Sequence, residues 1–127
     1  MADQTFAPFG GEKYISLESF KKNGEGVKTP VWFVLHDGAL YAYTEADSWK
    51  VKRIRNNPRV RVAACNMRGT AKGPWIDATA SIVEGDERRV ANDLLDRKYF
   101  LKVLFNFLTK INRHERVMIK IAPRTRA

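Results

Sequence analysis

One stretch near the middle of the sequence carries groups suited to binding phosphate. Thr44 offers a hydroxyl where a strand is predicted to end, Ser48 offers another where a helix is predicted to begin, and Lys50 adds an ammonium group in the first helical turn. The free N–H groups and positive dipole end of a helix N-terminus attract phosphate. The stretch therefore predicts an anion site, and the alternative is a solvated basic helix with Ser48 as an ordinary cap.

A proline-containing segment lies upstream of this stretch. Pro30 has no N–H to donate to a sheet ladder, which places it at a sheet edge or at the start of a strand, where backbone groups are free. Free backbone groups beside Trp32 could line a flat aromatic ligand. The alternative is that Trp32 and Phe33 simply belong to the core, and the residues alone favour that interpretation.

Other reactive side chains do not form recognisable constellations. His36 and His114 are far apart and lack partners at metal-ligand spacing, so no metal site is expected. Cys65 lies within an apolar strand pattern and is interpreted as a buried small residue. The basic residues between 50 and 61 alternate with apolar ones, which favours a solvated face over nucleic-acid binding. No catalytic residue is identified.

The elements that must position these groups follow from hydrophobic periodicity and turn signals. Strands are predicted over 14–20, 29–36, 39–44, 60–67, 75–83 and 117–122, and helices over 49–56, 86–98 and 100–110. Asp37-Gly38 predicts a type I′ hairpin. Asp86 is expected to cap the second helix, whose apolar stripe is Val90, Ala91, Leu94 and Leu95. In the last strand, Met118 and Lys120 are expected to face outward or towards a partner. The pattern predicts one α+β domain over 1–127, mainly antiparallel, with residues 1–12 as a loose lead-in. Six strands in so short a chain indicate a small barrel.

Composition bounds the class of partner and compartment. Lys and Arg number 23 against 14 Asp and Glu, and the resulting charge of +9 favours an anionic partner. The hydrophobic share of 44% is enough for a core. A single cysteine, no signal peptide and no membrane-length apolar segment predict a cytoplasmic protein that does not bind membranes.

The predicted helix over 100–110 is apolar around most of its circumference. An ordinary surface helix buries a stripe of only about 100°, and the excess predicts contact with a partner subunit, a cofactor cleft or an apolar substrate. The alternative is that the protein's own chain, including Phe6 and Phe9, covers this helix. The apolar residues are Phe100, Leu101, Val103, Leu104, Phe105, Phe107, Leu108 and Ile111.

Several short motifs together resemble a known superfamily. They are Thr29-Pro30-Val31-Trp32-Phe33, Tyr43-Thr44, Ser48-Trp49-Lys50-Val51-Lys52-Arg53 and Asn57-Pro58-Arg59-Val60. In this order and spacing they resemble the pyridoxamine 5′-phosphate oxidase-like split β-barrel superfamily. Within it, the chain is most similar to a branch of short proteins described as deazaflavin (coenzyme F420)-dependent oxidoreductases. The likeness runs from about residue 13 to residue 123.

The resemblance implies a homodimer of six-stranded split β-barrels of the FMN-binding type with short peripheral helices. It implies FMN or coenzyme F420 in the cleft between subunits and two-electron reduction of a small organic substrate. The cofactor contacts that it implies are Thr29, Pro30, Val31, Trp32, Tyr43, Thr44, Ser48, Trp49 and Lys50. The cofactor would supply the hydride chemistry, so no acid or base need be identifiable. The alternative is a non-catalytic flavin-binding module or a basic nucleic-acid-binding module.

Two departures from the oxidase bear on these expectations. Trp49 stands where the oxidase has an arginine that contacts the flavin phosphate, and Lys52 or Arg53 could compensate for it. The sequence also lacks the C-terminal extension with which the oxidase contacts its substrate, so vitamin B6 oxidation is not the expected activity.

Overall fold

A seven-stranded antiparallel sheet forms the body of the computed structural model, which describes residues 5–99 and 116–124. Its strands are β1 (Tyr14–Phe20), β2 (Gly26–Val31), β3 (Val34–His36), β4 (Ala39–Glu45), β5 (Arg59–Cys65), β6 (Ile76–Val83) and β7 (Arg116–Pro123), in the order β2-β1-β5-β6-β7-β4-β3. The described residues also form two helices, α1 (Trp49–Asn56) and α2 (Gly85–Lys98), and a short 3-10 helix (Ala7–Phe9). The predicted helix over 100–110, its apolar residues and His114 lie outside the described residues.

The two edge strands of this sheet are consecutive in the chain. Only Trp32 and Phe33, here called the seam, separate β2 from β3. Val31 and Val34 can be no more than about 11 Å apart, so the sheet must curl until its edges meet. The result is the mainly antiparallel α+β split barrel that the sequence predicts.

The seam also explains why seven strands are present where six were predicted. The segment 29–36, predicted as one strand, is divided because the Tyr99 hydroxyl accepts a hydrogen bond from the Phe33 N–H at 3.1 Å and lies 2.9 Å from the Phe33 carbonyl oxygen. The backbone of Phe33 is therefore held by Tyr99, the residue that follows α2, and not by a neighbouring strand.

The barrel interior is filled by apolar side chains from the sheet, from Ile54 of α1 and from the N-terminal segment. Phe6 and Phe9, which are 0% and 4% exposed, stack with ring centroids 5.7 Å apart. The lead-in described as loose is thus packed into the core at these two residues.

A second apolar cluster lies between the outer face of the sheet and α2. Ala91 and Leu95 of the predicted α2 stripe are buried there, whereas Val90 is 41% exposed. Met118 is fully buried in this cluster, so the expectation that it faces outward or towards a partner is corrected. Met118 does lie on the face of β7 that points away from the barrel interior, as predicted, but α2 of the same chain covers that face. Lys120, on the same face, pairs with Glu87 at 2.9 Å.

Local turn and cap chemistry accounts for most element boundaries. Asp37 and Gly38 have φ of 54° and 81°, which confirms the type I′ hairpin. The Ser48 hydroxyl accepts a hydrogen bond from the Val51 N–H at 3.4 Å and confirms the cap of α1. Asp86, in contrast, is not a cap: it lies inside the first turn of α2 and pairs with Arg89 at 2.8 Å.

None of the described helices is long and apolar enough to cross a membrane.

Candidate functional site

A cavity of about 560 Å³ opens where the seam, the end of β4, the start of α1 and one face of α2 meet. Its size is within the range of cofactor-binding cavities. Its lining residues are Pro30, Val31, Trp32, Tyr43, Thr44, Glu45, Lys50, Arg88, Asn92, Leu95, Asp96, Tyr99 and Arg116. The predicted contacts at 30–32, 43–44 and 50 therefore converge on one space.

Three predicted contacts do not line this cavity. Thr29 is paired in register with Leu17 of β1. The Ser48 hydroxyl oxygen lies 3.4 Å from that of Thr44. Ser48 therefore contacts a residue that lines the cavity without lining the cavity itself. Trp49 is 70% exposed, with Lys52 Nζ 4.4 Å from its ring centroid, and it lines a separate pocket of about 530 Å³ on the outer face of α1.

Lys50 gives the α1 side of the cavity its positive charge. Burial, together with the positive charge of Arg53, lowers the pKa of this half-buried lysine, and Glu45 offsets part of the shift. No described carboxylate lies within ion-pair distance of its ammonium group. A partly desolvated cation that has no ion-pair partner among the described residues, in the same cavity as the Thr44 hydroxyl, is suited to an anionic ligand.

An aromatic pair forms a second wall of the cavity. The rings of Trp32 and Tyr99 stack with centroids 5.1 Å apart and an interplanar angle of 11°. The Tyr99 hydroxyl lies 2.7 Å from the carbonyl oxygen of Lys13 and 2.9 Å from that of Phe33, and it also accepts the Phe33 N–H. Burial raises the pKa of Tyr99 to about 12, so the hydroxyl keeps its proton at neutral pH. The wall offers a rigid flat surface to a planar ligand.

The third wall is a polar face of α2 that the sequence interpretation did not identify. Arg88, Asn92 and Asp96 are spaced four residues apart, which puts them on one side of a helix. The Tyr43 hydroxyl donates a hydrogen bond to Asn92 Oδ1. Burial raises the pKa of Tyr43, so it too stays protonated. The four-residue spacing of these polar side chains could have indicated this face from the sequence, but only the neighbouring apolar stripe of the helix was interpreted.

Lys98 lies next to the seam and gives a testable pH dependence. Its Nζ is 3.6 Å from the centroid of the Phe33 ring, and burial lowers its pKa from 10.5 to about 8. Between pH 8 and 10.5, Lys98 is still protonated in the unfolded chain but has released its proton in the folded protein. The contribution of Lys98 to stability therefore rises with pH in this range. We expect the change in the free energy of unfolding from pH 8 to 9.5 to be more positive in the parent than in Lys98→Met, because the raised pKa of the buried Cys65 thiol opposes the rise equally in both proteins.

Urea denaturation at constant ionic strength measures this difference. The range stops at pH 9.5 because tyrosines with raised pKa values, such as Tyr99, have the opposite effect once unfolded tyrosine begins to ionise near pH 10. Equal pH slopes for parent and variant would show that Lys98 does not titrate differently in the folded state.

The fold and cavity define a class of protein: a split barrel with a cofactor-sized cavity that combines an aromatic wall with cationic side chains. The profile of the pyridoxamine 5′-phosphate oxidase family matches residues 2–126, and the chain belongs to that family. No curated protein was found to match the sequence.

Solved structures share the fold at low sequence identity. The heme storage protein HutZ from Vibrio cholerae is 15% identical, with 98% of this chain and 92% of that chain covered and a TM-score of 0.71. Protein Rv2991 from Mycobacterium tuberculosis is 23% identical, with 98% and 82% covered and a TM-score of 0.69. A FAD-binding protein from Mesorhizobium loti is 19% identical, with 92% and 83% covered and a TM-score of 0.65.

Proposed function

We propose that the cavity binds a phosphorylated flavin or deazaflavin, either FMN or coenzyme F420. We propose further that the protein uses this cofactor to reduce a small organic substrate by two electrons. The observation that carries the proposal is the half-buried Lys50 ammonium, which has no ion-pair partner among the described residues and lines the same cavity as Thr44 and the Trp32–Tyr99 wall. Membership of the family and the fold shared with a FAD-binding protein support it.

The lining residues fit the two chemical parts of such a cofactor. Lys50 and Thr44 would hold the phosphate, with Ser48 orienting the Thr44 hydroxyl. The backbone of Pro30 and Trp32 would follow the edge of the flat ring system. When bound, the cofactor supplies the hydride-transfer chemistry, and the protein's residues bind it, orient it and limit access of water.

We also propose that the functional unit is a homodimer in which a second copy completes the cleft. The resemblance of the motifs to the split-barrel superfamily supports this arrangement. Sedimentation equilibrium with FMN present should give twice the chain mass of 14.6 kDa. A monomer under these conditions would contradict the two-subunit cleft.

Titrations of the purified protein against FMN, riboflavin, coenzyme F420, hemin and a short DNA duplex test the cofactor class. We expect FMN or coenzyme F420 to bind, and riboflavin, which lacks the phosphate, to bind more weakly than FMN. Hemin is included because HutZ shares the fold, although no His, Cys or Met is among the described residues that line the cavity. Binding of hemin or the duplex without either phosphorylated cofactor would overturn the proposal.

Replacing Lys50 with Ala tests the phosphate contact directly. A charge-assisted hydrogen bond contributes about 1.5–3 kcal/mol, so we expect FMN affinity to fall roughly 10- to 150-fold. Riboflavin affinity should not change. Stability without cofactor should change little or rise slightly, because a cation near a helix N-terminus is unfavourable and Arg53 repels Lys50.

The matched control for Lys50→Ala is Lys52→Ala. Lys52 is on the same helix, but its ammonium lies over the Trp49 ring on the outer face and does not line the cavity. We expect Lys52→Ala to bind FMN as the parent does. Equal losses in both variants would mean that general positive charge, and not a Lys50 contact, attracts the cofactor.

A further inference from the structure

We propose that the pocket on the outer face of α1 is a second binding site, and that it takes a nucleoside phosphate. The base would stack on the Trp49 indole, and the phosphate would bind the basic side chains around it. The inference does not depend on the proposed function, since this pocket and the cofactor cavity have no described lining residue in common.

The pocket lies between α1 and the turn that follows β1. Its volume of about 530 Å³ is within the range of small-molecule sites. The turn side contributes Phe20, Lys21 and Lys22, and the helix side contributes Trp49, Lys52, Arg53 and Asn56. The four helix residues follow the spacing i, i+3, i+4 and i+7, which places them on one face of α1. The described lining is therefore aromatic and basic, and it includes no acidic side chain.

Trp49 presents a flat apolar surface to solvent. It is 70% exposed, a value that only Met67 equals among the large apolar side chains of the described residues. No described aromatic ring stacks on it, and the nearest cation is the Lys52 ammonium already described. A solvated helix face does not account for an indole in water, because burial of that apolar surface would be favourable. A stacking site does account for it, because every nucleobase has a flat face that suits an aromatic side chain.

The cations of the pocket suit the phosphate of such a ligand. The Arg53 guanidinium is held in place, since its Nε donates a hydrogen bond to the Ser19 hydroxyl at 2.7 Å. Lys21 pairs with Glu25 at 3.4 Å, whereas no described carboxylate lies within 4 Å of the other three cations. A phosphate monoester carries about 1.5 to 2 negative charges at pH 7, so it suits several cations better than a single carboxylate does. The net charge of +9 adds long-range attraction.

Adenosine 5′-monophosphate (AMP), adenosine and ribose 5-phosphate are suitable probes, because they contain both parts of the ligand, the base without the phosphate, and the phosphate without the base. Calorimetric titration of protein saturated with FMN keeps the probes out of the cofactor cavity. We expect AMP to bind at least about fivefold more tightly than either partial probe, which is the lower limit for stacking of one base. A partial probe that binds as tightly as AMP would overturn the inference.

Substitutions assign AMP binding to this pocket. Trp49→Leu should weaken it about 5- to 150-fold, and Trp49→Phe, which keeps an aromatic ring, should weaken it less. Lys22→Gln should weaken AMP binding roughly threefold, since solvent screens an exposed cation, and should leave adenosine binding unchanged. The matched control is Arg55→Gln, at an exposed position of the same helix outside both pockets, and it should bind AMP as the parent does. Unchanged AMP binding by Trp49→Leu would rule out the pocket as the site.

The outcomes separate this inference from the proposed function. AMP should also shift the indole Nε1–H NMR signal of Trp49 in the unloaded protein. A protein that shows this shift but binds neither FMN nor coenzyme F420 would support the pocket and contradict the cofactor proposal. If FMN displaces AMP, or if Trp49→Leu loses FMN as strongly as AMP, the two ligands share one site and the inference is overturned. Trp49-dependent binding of a single-stranded oligoadenylate without binding of AMP would indicate a nucleic-acid surface and would also overturn it.

Discussion

Replacing Tyr99 with Phe should lower the free energy of unfolding by about 3 kcal/mol, although the side chain loses a single oxygen atom. The Tyr99 hydroxyl is the hydrogen-bond partner of the Phe33 N–H and lies 2.9 Å from the Phe33 carbonyl oxygen. Phe33 itself is fully buried. A buried backbone group left without a partner costs about 1–3 kcal/mol, and here two groups at the seam are affected. Urea denaturation of both proteins measures the difference.

The matched control is Tyr14→Phe, the same chemical change at a partly exposed residue. The Tyr14 hydroxyl has no hydrogen-bond partner in the described part of the chain, so we expect a change below about 0.5 kcal/mol. Tyr99→Phe should also weaken FMN binding, because Trp32 is adjacent to the released backbone and stacks on the Tyr99 ring. Equal stability of the two variants would mean that the Tyr99 hydroxyl does not hold the seam.

The parts of the fold that depend on neighbouring residues could be predicted from the sequence. β1 follows from alternation of apolar residues, the hairpin at Asp37-Gly38 from tolerance of positive φ, and the start of α1 from the Ser48 cap. Each signal lies within a few residues of the structure that it specifies. These local signals were enough to establish an antiparallel barrel.

The seam could not be predicted in the same way. Nothing in the segment 29–36 marks a break, since its run of apolar residues suits a continuous strand. The break depends on Tyr99, which is 66 residues away from Phe33 in the chain. Long-range contacts of this kind override local strand preference.

The candidate site likewise has one part that local sequence signals predict and one part that depends on long-range contacts. Its first half, from 30–32 and 43–50, is drawn from the motifs that carry the family resemblance. Its second half comes from α2 and β7, where Arg88 and Asn92 could have been noticed from their spacing on one helix face. Arg116 had no local signal, because its position depends on the pairing of β7 with β4, in which it lies opposite Glu45.

Replacing Met118 with Ala should lower the free energy of unfolding by about 3 kcal/mol, within the range measured for buried Met-to-Ala changes. The Met118 side chain is 0% exposed and joins β7 to Leu95 and Tyr99 of the α2 region. The resulting cavity lies beneath the apolar side of α2. The opposite, polar side of this helix lines the cofactor cavity, so FMN binding should weaken as the helix loosens. Thr79→Ala, on the exposed face of the neighbouring strand β6, is the control and should change stability by less than about 0.5 kcal/mol. If Met118 instead lay at an exposed or partner-facing position, the monomer would tolerate Met118→Ala as well as Thr79→Ala, and the docking of α2 on the sheet would be contradicted.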